Sequence, residues 1–180
     1  MRFVQIYEQD FPNNKKVLFH YTSEYYYEIN LVKKANNEGW IFDWTKKKFS
    51  TMFEKKTEGV LFEDYKVNAE YYIAIDERKE ELGILVIAKQ DWNNTLRIWD
   101  IYVMAKYQRK GIGTQLMNFA KERAKTWGCR ALVVECQSSN YPAIQFYLKN
   151  GLDLTGFDLL SYSNEDVKKC EVRLEMTIII

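Results

Sequence analysis

The sequence predicts an α/β fold of the α+β type, with a mixed, mostly antiparallel sheet and flanking helices. Three strand-like patterns lie between Tyr71 and Val103 and are joined by short polar turns, as in an antiparallel meander. A strand–helix–strand pattern then runs from Leu96 to Cys136, and such right-handed crossovers join parallel strands. With 180 residues, 47% of them hydrophobic, the chain has the size and composition of one domain, residues 1–180.

The first third of the chain predicts one strand and two helices. Arg2–Tyr7 alternates in polarity and indicates a strand. Ser23–Asn37 is predicted to be helical, with Ser23 as its N-cap. Thr45–Lys56 is predicted as a second helix because its large apolar residues fall on one side, although its aromatic residues fit a strand as well. Gly59–Lys66 is ambiguous.

The middle of the chain gives clearer patterns. Apolar runs predict strands over Tyr71–Ile75, Leu82–Lys89 and Leu96–Val103, with charged or polar turns between them. Apolar residues at helical spacing predict a helix over Thr114–Trp127, and Gly128 ends it.

The last third predicts one buried strand, one short helix and two final strands. Ala131–Cys136 is a continuous apolar run. Asn140–Asn150 is predicted to be a helix that Asn140 caps, with Pro142 in its first turn. The final strands are predicted over Leu154–Leu160 and Val172–Ile180.

Composition excludes several classes of function. With 26 basic and 25 acidic residues, the net charge of +1 provides no field that attracts nucleic acid. The three cysteines show no paired spacing, so we expect a reducing compartment, no disulfide framework and no metal. The charged N-terminus does not resemble a signal peptide, and no apolar run is long enough to cross a membrane, so we expect a cytoplasmic protein without a membrane partner. Exposed final strands are compatible with a homodimer.

A short basic loop joins the strand at Val103 to the following helix. Its two glycines let the backbone bend and approach a ligand, and the first amides of the helix point into the loop. The helix N-terminus favours an anion, and two basic side chains add formal charge, which together predict a pyrophosphate site. Leu116 stands where a dinucleotide-binding fingerprint needs its third glycine, and the P-loop pattern is also missing. The predicted phosphate-binding residues are Gln108, Arg109, Lys110, Gly111, Ile112, Gly113 and Thr114.

Two segments together resemble the GNAT superfamily of N-acetyltransferases. The Gln-x-x-Gly-x-Gly pattern of Gln108–Gly113, after a strand that ends in Asp-Ile-Tyr-Val, is similar to the superfamily's acetyl-CoA signature. Asn140–Leu152 is similar to a second superfamily pattern, Asn-x-x-Ala-x-x-Phe-Tyr-x-x-x-Gly-Phe, with Leu152 in place of the final Phe. Within the superfamily the chain is most similar to streptothricin acetyltransferases, through Trp99–Val103, Glu135–Asn140 and Gly156–Asn164.

The resemblance implies a six- to seven-stranded sheet that splays between Leu96–Val103 and Ala131–Cys136, and it implies acetyl-CoA as acyl donor. The backbone of Ile101, Tyr102 and Val103 would bind the pantetheine arm and polarise the thioester. The helix from Asn140 would contribute Asn140 and Ala143 to cofactor binding. Tyr147 would contact the cofactor and protonate the departing CoA thiolate.

Four further residues are candidates for the acceptor side. Asp100 and Glu135 lie on the two predicted parallel strands, where either can hold a substrate ammonium or accept its proton. Each can equally cap a backbone group or pair with Arg97 or Arg130. Asp158 and Tyr162 are candidates to close over the substrate, or they belong to a surface hairpin.

The predicted function is therefore transfer of an acetyl group from acetyl-CoA to a primary amine of a small cationic molecule, with streptothricin as the specific candidate. Direct attack in a ternary complex needs no covalent enzyme intermediate. Two alternatives stay open. The acceptor can be a protein N-terminus, a lysine or a polyamine, or the chain can be a binding module that senses acyl-CoA without turnover.

Overall fold

The computed structural model describes residues 1–36 and 38–180, which form nine strands, two α-helices and two short 3-10 turns. The strands are β1 (Arg2–Ile6), β2 (Lys16–Lys33), β3 (Trp40–Val60), β4 (Glu70–Ile75), β5 (Glu81–Gln90), β6 (Thr95–Val103), β7 (Ala131–Gln137), β8 (Asp153–Asp158) and β9 (Arg173–Ile179). The helices are α1 (Ile112–Thr126) and α2 (Tyr141–Lys149), and the 3-10 turns are Glu8–Asp10 and Ala105–Tyr107. Neither α-helix of the described chain combines the length and the apolar sequence that a membrane-crossing helix needs.

The described chain divides into two compact units. The first unit consists of Met1–Phe19, Thr57–Val134 and Thr177–Ile180. The second unit consists of His20–Lys56 and Glu135–Met176. That the chain folds as a single domain stays a prediction.

The first unit is built on the meander that the sequence predicts. Its strand order is β1-β4-β5-β6-β7, and the pairs β1–β4, β4–β5 and β5–β6 are antiparallel. The pairing of β6 with β7 is parallel, with Leu96 opposite Leu132, because α1 provides the crossover between them. The mixed, mostly antiparallel sheet with one parallel strand pair is therefore confirmed.

Strand β5 forms the centre of the first unit because its sequence from Leu82 to Ala88 is apolar and buried on both faces. Alternate residues point to opposite faces of a strand, so β5 contributes to two layers of core. On one face Ile84 and Val86 belong to a cluster with Ile6, Val17, Leu61 and Phe62. Helix α1 buries an apolar stripe at helical spacing, which consists of Leu116, Met117, Ala120 and Ala124.

A β-bulge interrupts the pairing of β5 and β6. Val86 lies opposite Asp100, whereas the next residue of β5, Ile87, lies opposite Ile98. Trp99 is therefore the extra residue of the bulge. A bulge increases the local twist and changes the direction of nearby side chains, and here it lies immediately before Asp100.

The parallel ladder between β6 and β7 is short. It ends at the pair Ile98 and Val134, whereas β6 continues to Val103. The last residues of β6 thus lie beyond the ladder, and their amides and carbonyls on that edge can bind other groups. This ending agrees with the predicted splaying of the two strands.

Gly83 in β5 marks a close approach to β6. A Cβ at this position would lie 2.6 Å from the carbonyl oxygen of Tyr102 and 3.1 Å from Cδ1 of Leu116. We expect Gly83→Ala to lower the free energy of unfolding by about 1–3 kcal/mol, because the backbone of β6 must shift. Urea denaturation with the midpoint and slope fitted separately measures this loss.

The control for this substitution is Gly59→Ala in β3. A Cβ at Gly59 meets no described atom within 4 Å, and the residue is exposed. Removing a glycine at such a position leaves stability unchanged or raises it by up to about 1 kcal/mol. Equal effects of Gly83→Ala and Gly59→Ala would contradict the close approach at Tyr102.

In the second unit, the predicted helices Ser23–Asn37 and Thr45–Lys56 are wrong. Their described residues lie largely in the long strands β2 and β3, which pair in a two-stranded sheet, and Asn37 lies outside the described residues. Ser23 is no N-cap: it is buried within β2, and its hydroxyl donates to the carbonyl oxygen of Tyr25 at 2.6 Å. The connection between β2 and β3 is too short for a parallel crossover, so the strands form an antiparallel hairpin.

Aromatic contacts between the two strands explain why this segment is a hairpin. The ring of Tyr27 stacks on Trp44 at 4.4 Å between centroids, and the ring of Tyr26 lies 4.6 Å from that of Phe49. Aromatic pairs between strands stabilise a sheet, and aromatic residues favour the extended backbone. The spacing that suggested a helix arises because both faces of the hairpin carry large apolar residues.

The remainder of the second unit follows the sequence prediction closely. Its strand order is β7-β9-β8, and helix α2 comes between β7 and β8 in the chain. The predicted helix over Asn140–Asn150 corresponds to α2, and the two predicted final strands correspond to β8 and β9. In the first unit, α1 begins at Ile112, slightly before the predicted Thr114.

Candidate active site

The loop between β6 and α1 has the backbone of an anion-binding site. Gly111 is the N-cap of α1 and adopts a left-handed conformation, with φ of 81°. Arg109 is also left-handed, with φ of 60°. The first intrahelical bond runs from the amide of Gln115 to the carbonyl oxygen of Gly111 at 3.1 Å. The amides of Ile112, Gly113 and Thr114 precede that bond, so they are available to a ligand at the helix N-terminus.

Hydrogen bonds and an ion pair with other residues of the first unit fix the position of this loop. The side-chain amide of Gln108 donates to the carbonyl oxygen of Val103 at 3.1 Å, which closes the loop onto the end of β6. Lys106 forms an ion pair with Glu80 at 3.1 Å, and the Tyr107 hydroxyl donates to the same carboxylate. The side chains of Arg109 and Lys110 stay exposed, where their charges favour an anion.

Asp100 lies just after the bulge, and its side chain is 14% exposed. Its carboxylate accepts a hydrogen bond from the ammonium of Lys66 at 2.6 Å. Lys66 also lies 2.9 Å from the carboxylate of Glu63, so one buried ammonium contacts two carboxylates. The sequence offered Arg97 and Arg130 as partners for the candidate carboxylates, and the partner of Asp100 is Lys66 instead.

Burial and charge act in opposite directions on these groups. Burial raises the pKa of Asp100 because it disfavours the ionised carboxylate, and the ammonium of Lys66 offsets only part of that effect. Burial lowers the pKa of Lys66, but Asp100 and Glu63 outweigh this effect and hold the pKa above its usual value. Asp100 is therefore a buried carboxylate that accepts a proton more readily than an exposed aspartate does.

The candidate cofactor residues of the second unit lie on α2. Asn140 caps this helix as the sequence predicts, because its side-chain oxygen accepts from the amide of Ala143 at 3.2 Å. Tyr147 is 5% exposed and packs on the buried side of α2, which it shares with Ile144. Asn140, Ala143 and Tyr147 recur at helical spacing and so share one side of the helix.

The second unit also brings together two candidate substrate residues, Glu135 and Tyr162. The Tyr162 hydroxyl donates to the carboxylate of Glu135 at 2.6 Å. The other oxygen of that carboxylate forms an ion pair with the Arg173 side chain at 2.8 Å, and Arg173 also pairs with Glu175. Glu135 is therefore a carboxylate whose charge is compensated. The candidate Asp158 instead accepts from the amide of Leu160 at 2.9 Å and is exposed.

Sequence reasoning missed three charged residues of these clusters. Lys66 and Glu63 fall in the stretch that the sequence left ambiguous, and Arg173 begins a strand that suggested no site. The contacts of Lys66 with Asp100 and of Arg173 with Glu135 join residues that are distant in the chain. No local signal in the sequence indicates the burial of Lys66, because polar residues such as Asp64 and Asn68 stand close to it in the chain. In the described part of the chain, no group of three or more His, Cys, Asp or Glu residues is placed to hold a metal ion.

Comparisons with known proteins agree with these features. Residues 32–152 match the acetyltransferase (GNAT) family. The chain is 30% identical over 133 residues to streptothricin acetyltransferase A of Bacillus subtilis (strain 168), and the match covers 71% of this chain and 74% of that protein. It is 32% identical over 91 residues to streptothricin acetyltransferase of Streptomyces lavendulae, a match that covers 51% of this chain and 48% of that enzyme.

Solved structures that resemble the whole chain include one with bound acetyl coenzyme A. It is that of a protein from Bacillus anthracis str. Ames in complex with acetyl coenzyme A, with a TM-score of 0.77 and 24% sequence identity. The superposition covers 99% of this chain and 97% of that one, so the two share a fold from end to end. The family match spans β3 to α2 and includes both the loop before α1 and the segment from Asn140. The chain belongs to the GNAT family of acetyltransferases, and it is an acyltransferase.

Proposed function

We propose that this protein transfers the acetyl group of acetyl-CoA to a primary amine of a small cationic molecule, and that streptothricin is such an acceptor. The observation that carries the donor is the left-handed Gly111 at the start of α1, which leaves the first amides of the helix for a pyrophosphate. The choice of acceptor is supported by streptothricin acetyltransferase A of Bacillus subtilis, which is 30% identical to this chain. Family membership favours an enzyme over an acyl-CoA sensor without turnover.

The donor would be held at three points. The loop Gln108–Thr114 would bind the pyrophosphate through backbone amides, with Arg109 and Lys110 adding charge. The backbone of Ile101–Val103 lies beyond the β6–β7 ladder and would bind the pantetheine arm and the thioester carbonyl. Asn140 and Ala143 on α2 would complete the cofactor contacts.

The reaction needs a neutral amine, because an ammonium has no lone pair. The amine nitrogen attacks the thioester carbon, a C–N bond forms, and the charge that develops on the carbonyl oxygen needs a positioned amide donor. Asp100 would accept the proton of the amine, since its pKa is raised by burial towards the range of a general base. The C–S bond then breaks, and the Tyr147 hydroxyl would protonate the thiolate.

Glu135 is better suited to binding than to proton transfer. Arg173 compensates its charge and Tyr162 occupies one of its oxygens, so both oxygens of this carboxylate already have partners within the second unit. We therefore assign Glu135 and Tyr162 to the recognition of the acceptor, together with the exposed Asp158.

A substitution at Gly111 tests the loop. A non-glycine residue in the left-handed conformation costs about 1–2 kcal/mol, so the loop of Gly111→Ala should leave its present backbone. We expect the KM for acetyl-CoA to rise by about 5- to 30-fold, which corresponds to that energy. Steady-state CoA release at varied acetyl-CoA measures the change.

Gly128→Ala at the other end of α1 is the matched control. Gly128 also has a left-handed backbone, with φ of 63°, and a Cβ there meets no described atom within 4 Å. The backbone penalty is therefore similar, whereas the KM for acetyl-CoA should not change. A rise in KM for both variants would mean that α1 as a whole, and not the loop, governs binding.

An acceptor panel tests the proposed activity. CoA release from acetyl-CoA should be measured with streptothricin, spermidine, an aminoglycoside and a peptide with a free N-terminus. We expect the highest kcat/KM with streptothricin and an acetylated product in the mass spectrum. Turnover of the peptide alone or of spermidine alone would show that the acceptor belongs to another class of amine. If none of the four compounds is acetylated, the proposed acceptor is wrong.

A further inference from the structure

The most unusual charged group of the first unit is Lys66, whose side chain is 3% exposed. Its ammonium donates to the carboxylate of Asp100 at 2.6 Å and to the carbonyl oxygen of Leu61 at 3.2 Å, and it lies 2.9 Å from the carboxylate of Glu63. These three acceptors match the three N–H donors of an ammonium. A lysine is rarely buried to this extent unless it is paired.

Asp100 depends on this ammonium in two ways. A buried carboxylate without a partner becomes protonated, and a protonated carboxyl cannot act as a general base. The orientation of the Asp100 side chain must also be fixed by a partner if one carboxylate oxygen is to face a substrate. The bond to Lys66 uses one oxygen of Asp100, Oδ2, and leaves the other for a further contact.

Glu63 compensates the charge of Lys66 whether or not Asp100 is protonated. Two carboxylates and one ammonium carry a net charge of −1, which favours a nearby cation. When Asp100 takes up a proton, Lys66 remains paired with Glu63, and no buried charge is left uncompensated. Glu63 and Lys66 also line an open cavity of about 370 Å³, so water reaches this side of the cluster.

We propose that Lys66 is a positioning residue for proton transfer, which holds Asp100 ionised and oriented while Glu63 supplies its permanent counter-charge. This inference rests on the proposed function, in which Asp100 accepts the proton of the amine. The titratable groups that face Asp100 are Lys66, Glu63 and the Tyr71 hydroxyl. Burial raises the pKa of Glu63, but the contacts with Tyr65 and Lys66 outweigh it and lower the pKa, so Glu63 stays charged while Asp100 titrates.

The first test is the pH dependence of kcat/KM for CoA release with acetyl-CoA and streptothricin. In the unmodified protein kcat/KM should rise as the pH increases through the pKa of Asp100, and this rise is the acid limb of the profile. In Lys66→Met the acid limb should move to higher pH, because Asp100 loses the charge that lowers its pKa. At pH 7 kcat/KM should fall by about tenfold, which is less than the loss expected when a general base itself is removed. The rate should recover at higher pH. Lys66→Arg should restore most of the activity and the position of the limb, whereas the KM for acetyl-CoA should not change in either variant.

A second variant keeps the test informative if Lys66→Met does not fold. Glu63 is 32% exposed in its side chain, so Glu63→Gln should be tolerated. Removing this negative charge should move the acid limb in the opposite direction, to lower pH, because Glu63 raises the pKa of Asp100. A limb that does not move in Glu63→Gln or in folded Lys66→Met would overturn the inference.

Lys15→Met provides the matched control. Lys15 forms a 2.8 Å ion pair with Glu81 in the same unit, and its side chain is also largely buried. Its loss should lower stability without moving the acid limb. A similar movement of the limb in Lys15→Met would assign the effect to loss of stability instead of to Lys66.

A direct titration separates this inference from the proposed function. The carboxyl of Asp100 can be followed by NMR in protein with ¹³C-labelled aspartate, and its signal is identified by its loss in Asp100→Asn. An NMR titration of Asp100 that is unchanged in Lys66→Met overturns the role of Lys66 alone. An NMR pKa that rises while the pH–rate profile stays fixed removes Asp100 from the reaction, and with it the positioning role.

Discussion

Tyr147→Phe is expected to lower kcat by about 10²-fold or more while the affinity for acetyl-CoA is retained. A positioned general acid contributes this much when it protonates a leaving group, and phenylalanine keeps the shape of the buried ring on α2. The phenol is a suitable acid for a thiolate because the ordinary pKa values of tyrosine and of a thiol lie within about two units. Single-turnover CoA release, together with direct titration of acetyl-CoA, separates the two effects.

Tyr141→Phe is the control, since it removes a hydroxyl from the same helix. Tyr141 packs against Tyr25, and the ammonium of Lys46 lies 4.8 Å from the centre of its ring. We assign it no part in the reaction, so kcat should stay within about twofold of the unmodified protein, as expected for a surface substitution. If Tyr147→Phe and Tyr141→Phe have the same kcat, Tyr147 is a core residue and the acid lies elsewhere.

Asp100→Asn is expected to lower kcat/KM by about 10²- to 10⁴-fold, because the amide cannot accept the proton of the amine. Only the ionised form of Asp100 is active, and burial raises its pKa, so the rate of the unmodified protein should increase as pH rises through that pKa. In Asp100→Asn this limb should disappear and leave a low rate that does not depend on this group. Asparagine keeps the size of the side chain, and Lys66 keeps its contact with Glu63.

Glu70→Gln is the matched control for Asp100→Asn. It replaces a half-buried carboxylate of the same unit that forms an ion pair with Arg123 at 2.6 Å. The substitution should cost some stability and leave both the acid limb and kcat/KM unchanged. If Asp100→Asn retains the acid limb, another group or an ordered water accepts the proton.

Much of the second half of the fold could be predicted because its signals are local. The apolar stripe of α1, the cap at Asn140 and the turns of the meander each depend on residues that are close together in the chain. The pyrophosphate loop is similarly contiguous, since its glycine and its helix N-terminus are neighbours. These features are set by backbone geometry and side-chain spacing, which a sequence displays directly.

The hairpin of β2 and β3 could not be predicted in the same way. Its residues fit one side of a helix and both faces of a strand, and the choice depends on pairs such as Tyr27 with Trp44. Such pairs form only after the two strands meet. The secondary structure of this segment was therefore decided by contacts between the two strands, which the order of residues does not reveal.

The residues of the chain by themselves determined the family, the acyl-donor loop and the segment with Asn140 and Tyr147, because each is a continuous pattern with its own backbone chemistry. Only the tertiary structure decided the electrostatics. It placed Lys66 on Asp100 and Arg173 on Glu135, and so made one carboxylate a candidate base and the other a compensated charge. The physical reason is that the pKa of a group depends on burial and on charges within a few ångströms, and folding, not sequence distance, sets both.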